Sequence, residues 1–464
     1  MKVTVKNLGA VNEAEIDLKP LTVFVGHNST GKTWTAYALA SVFSSYGCEK
    51  YLGSYVNGET KQTYPILDKA IEQLIYEGSA EIDLVQFVED NIQAYVNDVA
   101  NLAPSWMRSY LSTRRVNFGN LDIQIDLHGC ESQLANKIKM DHADYYLSIL
   151  SNKLKIFKEK DSKKIIFFVE SQDKAKENIP SQIIRQFICE QIFEILHRSL
   201  FFYTYLFPTE RTAVIARPIR YVNKWDIDTF EQSIKTGRSS GFSYPVESLA
   251  NMISATASVA LSDRIETIKE TPQIKDYMGL AAFLGDKILR GQGDFEESGI
   301  DQELLFSTEN IKLEMDVTSS MIKELMPLVL YLRYLAEPND LIVIDEPEMN
   351  LHPAAQVEII EFLSMLVNAG LNVLITTHSP YIVDHISNLI EAKKHQKSEE
   401  IKQYFYLEDD RAFIDQDKVS VHLFEDNTAK NILAKDGSIN WETFWNVSSD
   451  ISGIYSQLLK TKKA

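Results

Sequence analysis

This chain of 464 residues predicts an α/β fold with a parallel-rich sheet, interrupted once by a large insertion. Three observations carry that expectation. Short buried-strand segments at Leu21–Val25, Leu341–Ile344 and Asn372–Thr377, the first almost wholly apolar, each lead towards a helix-like segment. Strands buried on both faces and followed by helices argue for parallel units. A loop bracketed by Gly26 and Gly31 joins the first run to its helix, and the mixed segment 61–199 breaks the pattern. The core is therefore expected over 1–60 and 200–464, with 61–199 inserted as a helix and hairpin subdomain.

The elements follow in order. Val3 to Leu18 alternates with a break at Asn7-Leu8-Gly9, as a hairpin does. Leu21–Val25 is a buried strand, and a helix is expected over Trp34–Phe43. Thr63–Leu102 has mostly helical periodicity, broken at Gly78, and Leu121–Leu127 alternates as a strand. Tyr146–Glu170 has the pattern of a two-stranded hairpin with a charged tip, Lys158 to Lys164; such a run is ordinarily a solvated loop end, or else a small basic finger for a partner or a phosphate backbone. Pro180–Leu200 predicts a helix and Phe201–Phe207 a strand. Tyr221–Leu289 is mainly helical in pattern, and short strands are expected within Leu304–Met315. Helices are expected at Met321–Ala336, Pro353–Asn368 and Tyr381–Ala392, with final strands near Gln403–Leu407 and Val419–Leu423.

Composition narrows the function classes. Hydrophobic residues make up 45% and charged residues 24%, which are globular values and exclude disordered or fibrous classes. The net charge of -18 disfavours a protein that coats nucleic acid. Three widely spaced cysteines, Cys48, Cys130 and Cys189, fit neither a disulfide framework nor a zinc cluster, and point to the cytoplasm. No apolar run reaches the ~18 residues that a membrane span needs. The amino terminus has the alternation of a strand, so no signal peptide is expected.

Four motifs carry chemistry. Gly26-His27-Asn28-Ser29-Thr30-Gly31-Lys32-Thr33 is a P-loop. Its backbone amides cradle phosphate oxygens, Lys32 reaches the β- and γ-phosphates, and the Thr33 hydroxyl ligates Mg²⁺. Asp345 and Glu346 end a buried strand, an expensive place for charge unless a cation neutralises it. Asp345 suits the Mg²⁺ shell, and Glu346 suits the base that orients and deprotonates an attacking water. His378, at the tip of a third buried strand, is in a position to bond the γ-phosphate or that water; alone, a strand-end histidine is more often structural. Ser319 and Ser320 precede a helix, where hydroxyls and amides make a phosphate site. Their spacing fits an ordinary N-cap equally well.

The order of these motifs resembles the ABC-type ATPase heads of the SMC-like group, most closely the overcoming-lysogenization-defect (OLD) and related AAA15-type ATPases. The P-loop with Asn28, the string Asp345-Glu346-Pro347-Glu348…Leu351-His352-Pro353 and Thr377-His378-Ser379 carry the resemblance, which covers 1 to about 60 and about 200 to 390. It implies a P-loop NTPase of ABC-head type with ATP and Mg²⁺ as ligands. It makes Lys32 the Walker lysine, Asp345 and Glu346 the Walker B pair, and His378 the switch histidine. Ser320, with Ser319 beside it, becomes the signature serine that closes the site of another protomer, implying a homodimer or higher even oligomer. Met321 stands where the family has glycine, which implies slow turnover. Phe207–Arg211 falls where the family has a loop sensing the γ-phosphate. Residues 391–464 are too few for the Toprim nuclease of OLD proteins, and Glu408-Asp409-Asp410 lacks its D-x-D spacing, so no nuclease is expected.

Stand-alone ATPases of this kind resemble the ATPase subunits of two-gene anti-phage systems of the Septu and PARIS types. That implies a separate effector protein, a nuclease, encoded nearby. Two other readings stay open: a RecF- or SMC-like repair ATPase that clamps DNA directly, and a scaffold that binds ATP without turnover.

Overall fold

The computed structural model describes every residue except 128, 141, 150–151, 172–178, 217–241, 299–300, 397, 440, 442–452, 455–457 and 459–464. The first part of the Tyr221–Leu289 expectation therefore lies outside the described residues. Sixteen strands are described: β1 (Lys2–Leu8), β2 (Val11–Asp17), β3 (Leu21–Val25), β4 (Ser79–Asp83), β5 (Asp122–Asp126), β6 (Ala143–Ile149), β7 (Asn152–Lys158), β8 (Lys164–Ser171), β9 (Thr204–Phe207), β10 (Gln292–Ser298), β11 (Asp301–Ser307), β12 (Lys312–Glu314), β13 (Leu341–Asp345), β14 (Asn372–Thr377), β15 (Val419–Glu425) and β16 (Thr428–Asn431). The chain divides into two compact units. One holds 1–8, 37–205 and 339–341; the other holds 9–36, 206–338 and 342–464.

In the first unit β1 and β5 pair antiparallel, and a four-stranded sheet runs in the order β4-β8-β7-β6. Helices Ser45–Val56, Pro65–Glu77, Leu84–Tyr110, Glu131–Met140 and Ser181–Leu200 complete it. Gly78 caps its helix in the left-handed region at φ 78°, where a side chain would be strained. The short strand β4 that follows buries Ala80 and Ile82 and was not expected. Nor were the helix Glu131–Met140 and β6, so the expected two-stranded hairpin has three strands. Its charged tip also needs correction. Lys158 ends β7 fully buried, with Nζ donating to the Lys139 carbonyl at 2.9 Å, while Lys160 and Lys163 stay exposed.

In the second unit the strands lie in the order β2-β16-β15-β3-β14-β13. β3 is flanked by two parallel neighbours, with Val23 opposite Ile375 of β14 and Val421 of β15. Every residue of β3 and β13 is buried, as an apolar run covered on both faces requires. The helices Pro353–Asn368 and Pro380–Lys394 follow β13 and β14. The strand expected near Gln403–Leu407 is instead a turn of 3₁₀ helix at Lys402–Tyr404. The reason is a buried carboxylate: Glu361 accepts the backbone N–H groups of Tyr406 and Leu407 at 3.0 and 2.8 Å, which diverts them from any ladder. Also unanticipated are β10, which pairs with β11 antiparallel, and β16. Among the described residues no helix is long and apolar enough to cross a membrane.

Candidate nucleotide site

The site sits at the carboxyl ends of β3, β13 and β14, the edge where open α/β sheets bind ligands. The loop after β3 needs its glycines. Gly26 has φ 145° and Gly31 φ 99°, and a Cβ at either would run into Phe424 or Val11. Lys32 opens the helix Lys32–Phe43 and is 5% exposed. Its Nζ donates to the carbonyls of Gly26 and His27, both at 2.8 Å, which holds the ammonium within the loop. Burial lowers its pKa, opposed by the carboxylates of Glu346, Asp345 and Glu348. His27, Asn28 and Ser29 are exposed, and the Thr30 hydroxyl donates to the His27 carbonyl at 2.9 Å.

Asp345 ends β13 almost fully buried. Its Oδ1 accepts the Thr33 hydroxyl at 2.9 Å and also the Thr376 hydroxyl, which ties the loop to two strand ends. Glu346, next in the chain, has φ 49°, a left-handed conformation that costs energy in a residue with a Cβ. Its N–H donates to the Thr376 carbonyl at 3.0 Å. His378 Nδ1 lies 3.4 Å from carboxylate oxygens of both Glu346 and Glu348. Glu348 is buried, and its Oε1 accepts the Thr377 hydroxyl at 2.6 Å and the His378 N–H at 2.9 Å. Burial raises the Glu348 pKa against those two donors.

Thr33 and Asp345 offer hard oxygen donors side by side. Among the described residues no group of three or more His, Cys, Asp or Glu side chains could hold a metal unaided. That donor set fits Mg²⁺, which binds through one or two protein oxygens together with substrate phosphates.

With this geometry in hand, comparison with known proteins decides the family. The AAA ATPase domain family (AAA_15) matches residues 1–383. The chain belongs to that family. No curated protein matches it. Two solved structures are similar to it. One is an Smc head bound to the C-terminal winged-helix domain of ScpA, with TM-score 0.35, 9% identity, and 93% of this chain and 96% of that one covered. The other is an Smc head with an extended coiled coil, bound to the C-terminal domain of ScpA from Pyrococcus furiosus, with TM-score 0.35, 10% identity, and 97% and 98% covered.

Within this AAA ATPase domain the fold brings Lys32, Thr33, Asp345, Glu346 and His378 together. It does not bring Ser319 and Ser320 to them. Both are exposed at the start of the helix Ser320–Tyr334, where Ser319 acts as the N-cap and accepts the Ile322 N–H at 3.3 Å. Sequence reasoning left Glu348, Thr376 and Glu324 without roles, and left Arg211 open. The second acid of Asp345-Glu346-Pro347-Glu348 and the doubled threonine before His378 were the available signals. Nothing in the sequence pairs Arg211 with Glu324, 113 positions apart.

Proposed function

We propose that this ATPase domain binds and slowly hydrolyses Mg-ATP as a nucleotide-dependent switch, and that it restrains or licenses a separate effector, a nuclease, in anti-phage defence. The observation that carries the nucleotide chemistry is the Thr33–Asp345 contact at 2.9 Å beside Glu346 and His378. Lys32 and the loop amides hold the β- and γ-phosphates. Thr33 and Asp345 hold Mg²⁺, which when bound neutralises phosphate charge. Glu346 takes the proton from a water whose oxygen bonds to the γ-phosphorus as the bond to the β,γ-bridging oxygen breaks. His378, held beside Glu346, steadies that water or the γ-phosphate.

Ser319 and Ser320, exposed and at a helix start, suit a second phosphate contact supplied to a partner copy, hence a homodimer or higher even oligomer. Met321 in place of glycine favours slow turnover. We assign partner capture to 61–199. Exposed Tyr145 and Tyr146 on β6, an edge strand, and Lys160 and Lys163 at the β7–β8 tip support that reading. The defence role rests on resemblance, and the net charge of -18 disfavours direct DNA clamping.

Titration calorimetry on Lys32→Ala tests the nucleotide reading. ATP affinity should collapse, and unchanged affinity would remove the P-loop assignment. Light scattering on Glu346→Gln with ATP should report a dimer or a multiple of it.

A further inference from the structure

We infer that Arg211 is a positioning residue that fixes the hydrolytic carboxylate of Glu346 to the helix Ser320–Tyr334. This rests on the reading of Glu346 as the base. Arg211 is 1% exposed, and its guanidinium is spread across three elements. Nη1 donates to the Asp345 carbonyl at 2.7 Å and to the Pro208 carbonyl at 2.9 Å, and Nη2 donates to the Glu346 carbonyl at 2.7 Å. Nε lies 2.6 Å from Oε2 of Glu324, itself buried on the helix Ser320–Tyr334. The other Glu324 oxygen accepts the Asn350 amide at 2.9 Å. Burial raises the Glu324 pKa, opposed by Arg211 and Asn350.

Two features make this more than a buried ion pair. First, Glu346 sits at φ 49°, and Asn350, four residues on, at φ 59°. A strained conformation persists only where its surroundings over-determine it. The Glu346 peptide is pinned on one side by its N–H to Thr376 and on the other by Arg211 at its carbonyl. Second, Glu324 lies four positions after Ser320, so both are on one face of the helix, one turn apart. A shift of that helix pulls on Glu324, through it on Arg211, and so on the Glu346 carbonyl. Phe207, Leu325, Leu328, Ile344, Pro347 and Ile359 line the gap around the pair, which keeps the link dry and stiff. Arg211 touches no reacting atom. It orients the residue that does.

Lysine cannot reproduce the fork, because its single ammonium cannot span three carbonyls and a carboxylate. Steady-state ATP turnover of the full chain, with nucleotide affinity and ATP-dependent self-association measured beside it, tests the link. Arg211→Lys should lower kcat about 100-fold, the scale of a 1 Å misplacement, and leave KM and self-association within about threefold. Glu324→Gln should lower kcat about tenfold, and the double variant should be no worse than Arg211→Lys alone, since both cut one connection. A merely structural arginine would lower the thermal midpoint without splitting kcat from KM.

Turnover within about twofold of the unaltered chain in either folded single variant overturns the inference, as do losses that fall on KM or that multiply in the double variant. If Arg211→Lys does not fold, Glu324→Gln decides alone on the same criterion. A chain that hydrolyses ATP but ignores these substitutions overturns the link and spares the ATPase reading. A chain with no turnover at all overturns both.

Discussion

A cluster of buried polar groups in each unit shows two opposite ways of burying them. The second unit buries formal charge: Lys32, Arg211, Glu324, Asp345 and Glu348 are all under 6% exposed, clustered at three strand ends and one helix. Lys158 apart, the first unit's cluster buries neutral polar groups within aromatic rings. Phe193 is its hub, stacked on Tyr95 at a centroid distance of 5.6 Å and meeting Tyr51, Tyr55 and Tyr64 at 5.0–5.5 Å. Tyr51 and Tyr64 share a hydroxyl bond at 3.0 Å, and Tyr95 bonds His197 at 3.1 Å. Burial pushes the Cys48 and Cys189 thiols up to about 12, so both are inert. Buried charge is costly unless it is used or tightly paired. The difference teaches where to expect each kind of mutational effect. Substitutions in the second unit's cluster should alter turnover, and substitutions in the first unit's cluster should alter stability.

The largest effect should come from Glu346→Gln. It keeps shape and removes the proton acceptor, so ATP turnover should fall by ~10²–10⁴ with nucleotide still bound. Turnover at the unaltered rate would move the base elsewhere and break the contrast on its functional side.

Next is Phe193→Ala in the first unit. Removing a fully buried aromatic hub should destabilise by about 3–5 kcal/mol. Denaturant unfolding should show it, with ATP affinity of the remaining folded protein unchanged. A stable Phe193→Ala protein with lost turnover would erase the distinction between the two regions.

How much of this was legible in the sequence follows the same division. β3, β13, β14 and the helix Pro353–Asn368 match the sequence boundaries within a residue, because runs buried on both faces carry an unbroken apolar signal. The loop from Gly26 to Thr33, Asp345, Glu346 and His378 were identifiable because each lies within a few residues of such a run. The links among Arg211, Glu324 and Asn350 were not, since side-chain bonds over 113 and 26 positions leave no local pattern. The first unit was read least well. β4, β6 and the helix Glu131–Met140 are short, half-exposed elements whose periodicity blends into their neighbours. Lys158 shows the limit most plainly: a lysine in a charged run is buried because the Lys139 carbonyl waits for it.

Acid should sharpen the comparison from another side. Burial lowers the His197 pKa from 6.5 to about 4 in the first unit, and that of His422 likewise in the second. Above pH 6.5 both states are neutral and the native contribution is intact. As pH falls from 6.5 towards 4 the unfolded chain takes up protons that the folded one refuses, so stability declines by up to about 3 kcal/mol for each histidine. Thermal midpoints recorded between pH 7 and pH 4.5 should fall accordingly. His197→Gln should roughly halve that decline, leaving the part due to His422. An unchanged acid slope would mean that His197 takes up its proton in the folded state.

The smallest expected effect isolates the hydroxyls from the rings. Tyr51→Phe keeps the aromatic packing against Tyr95 and Phe193 and deletes the 3.0 Å bond to Tyr64. One neutral hydrogen bond contributes about 1 kcal/mol net, and an orphaned buried partner can cost somewhat more. Tyr64→Phe should cost a similar amount. The double variant Tyr51→Phe/Tyr64→Phe should recover part of the loss, because no buried hydroxyl is then left unpaired. Strictly additive losses would mean that each hydroxyl is held by a separate partner. That result would replace the picture of a self-contained aromatic cluster with one of two independent polar anchors.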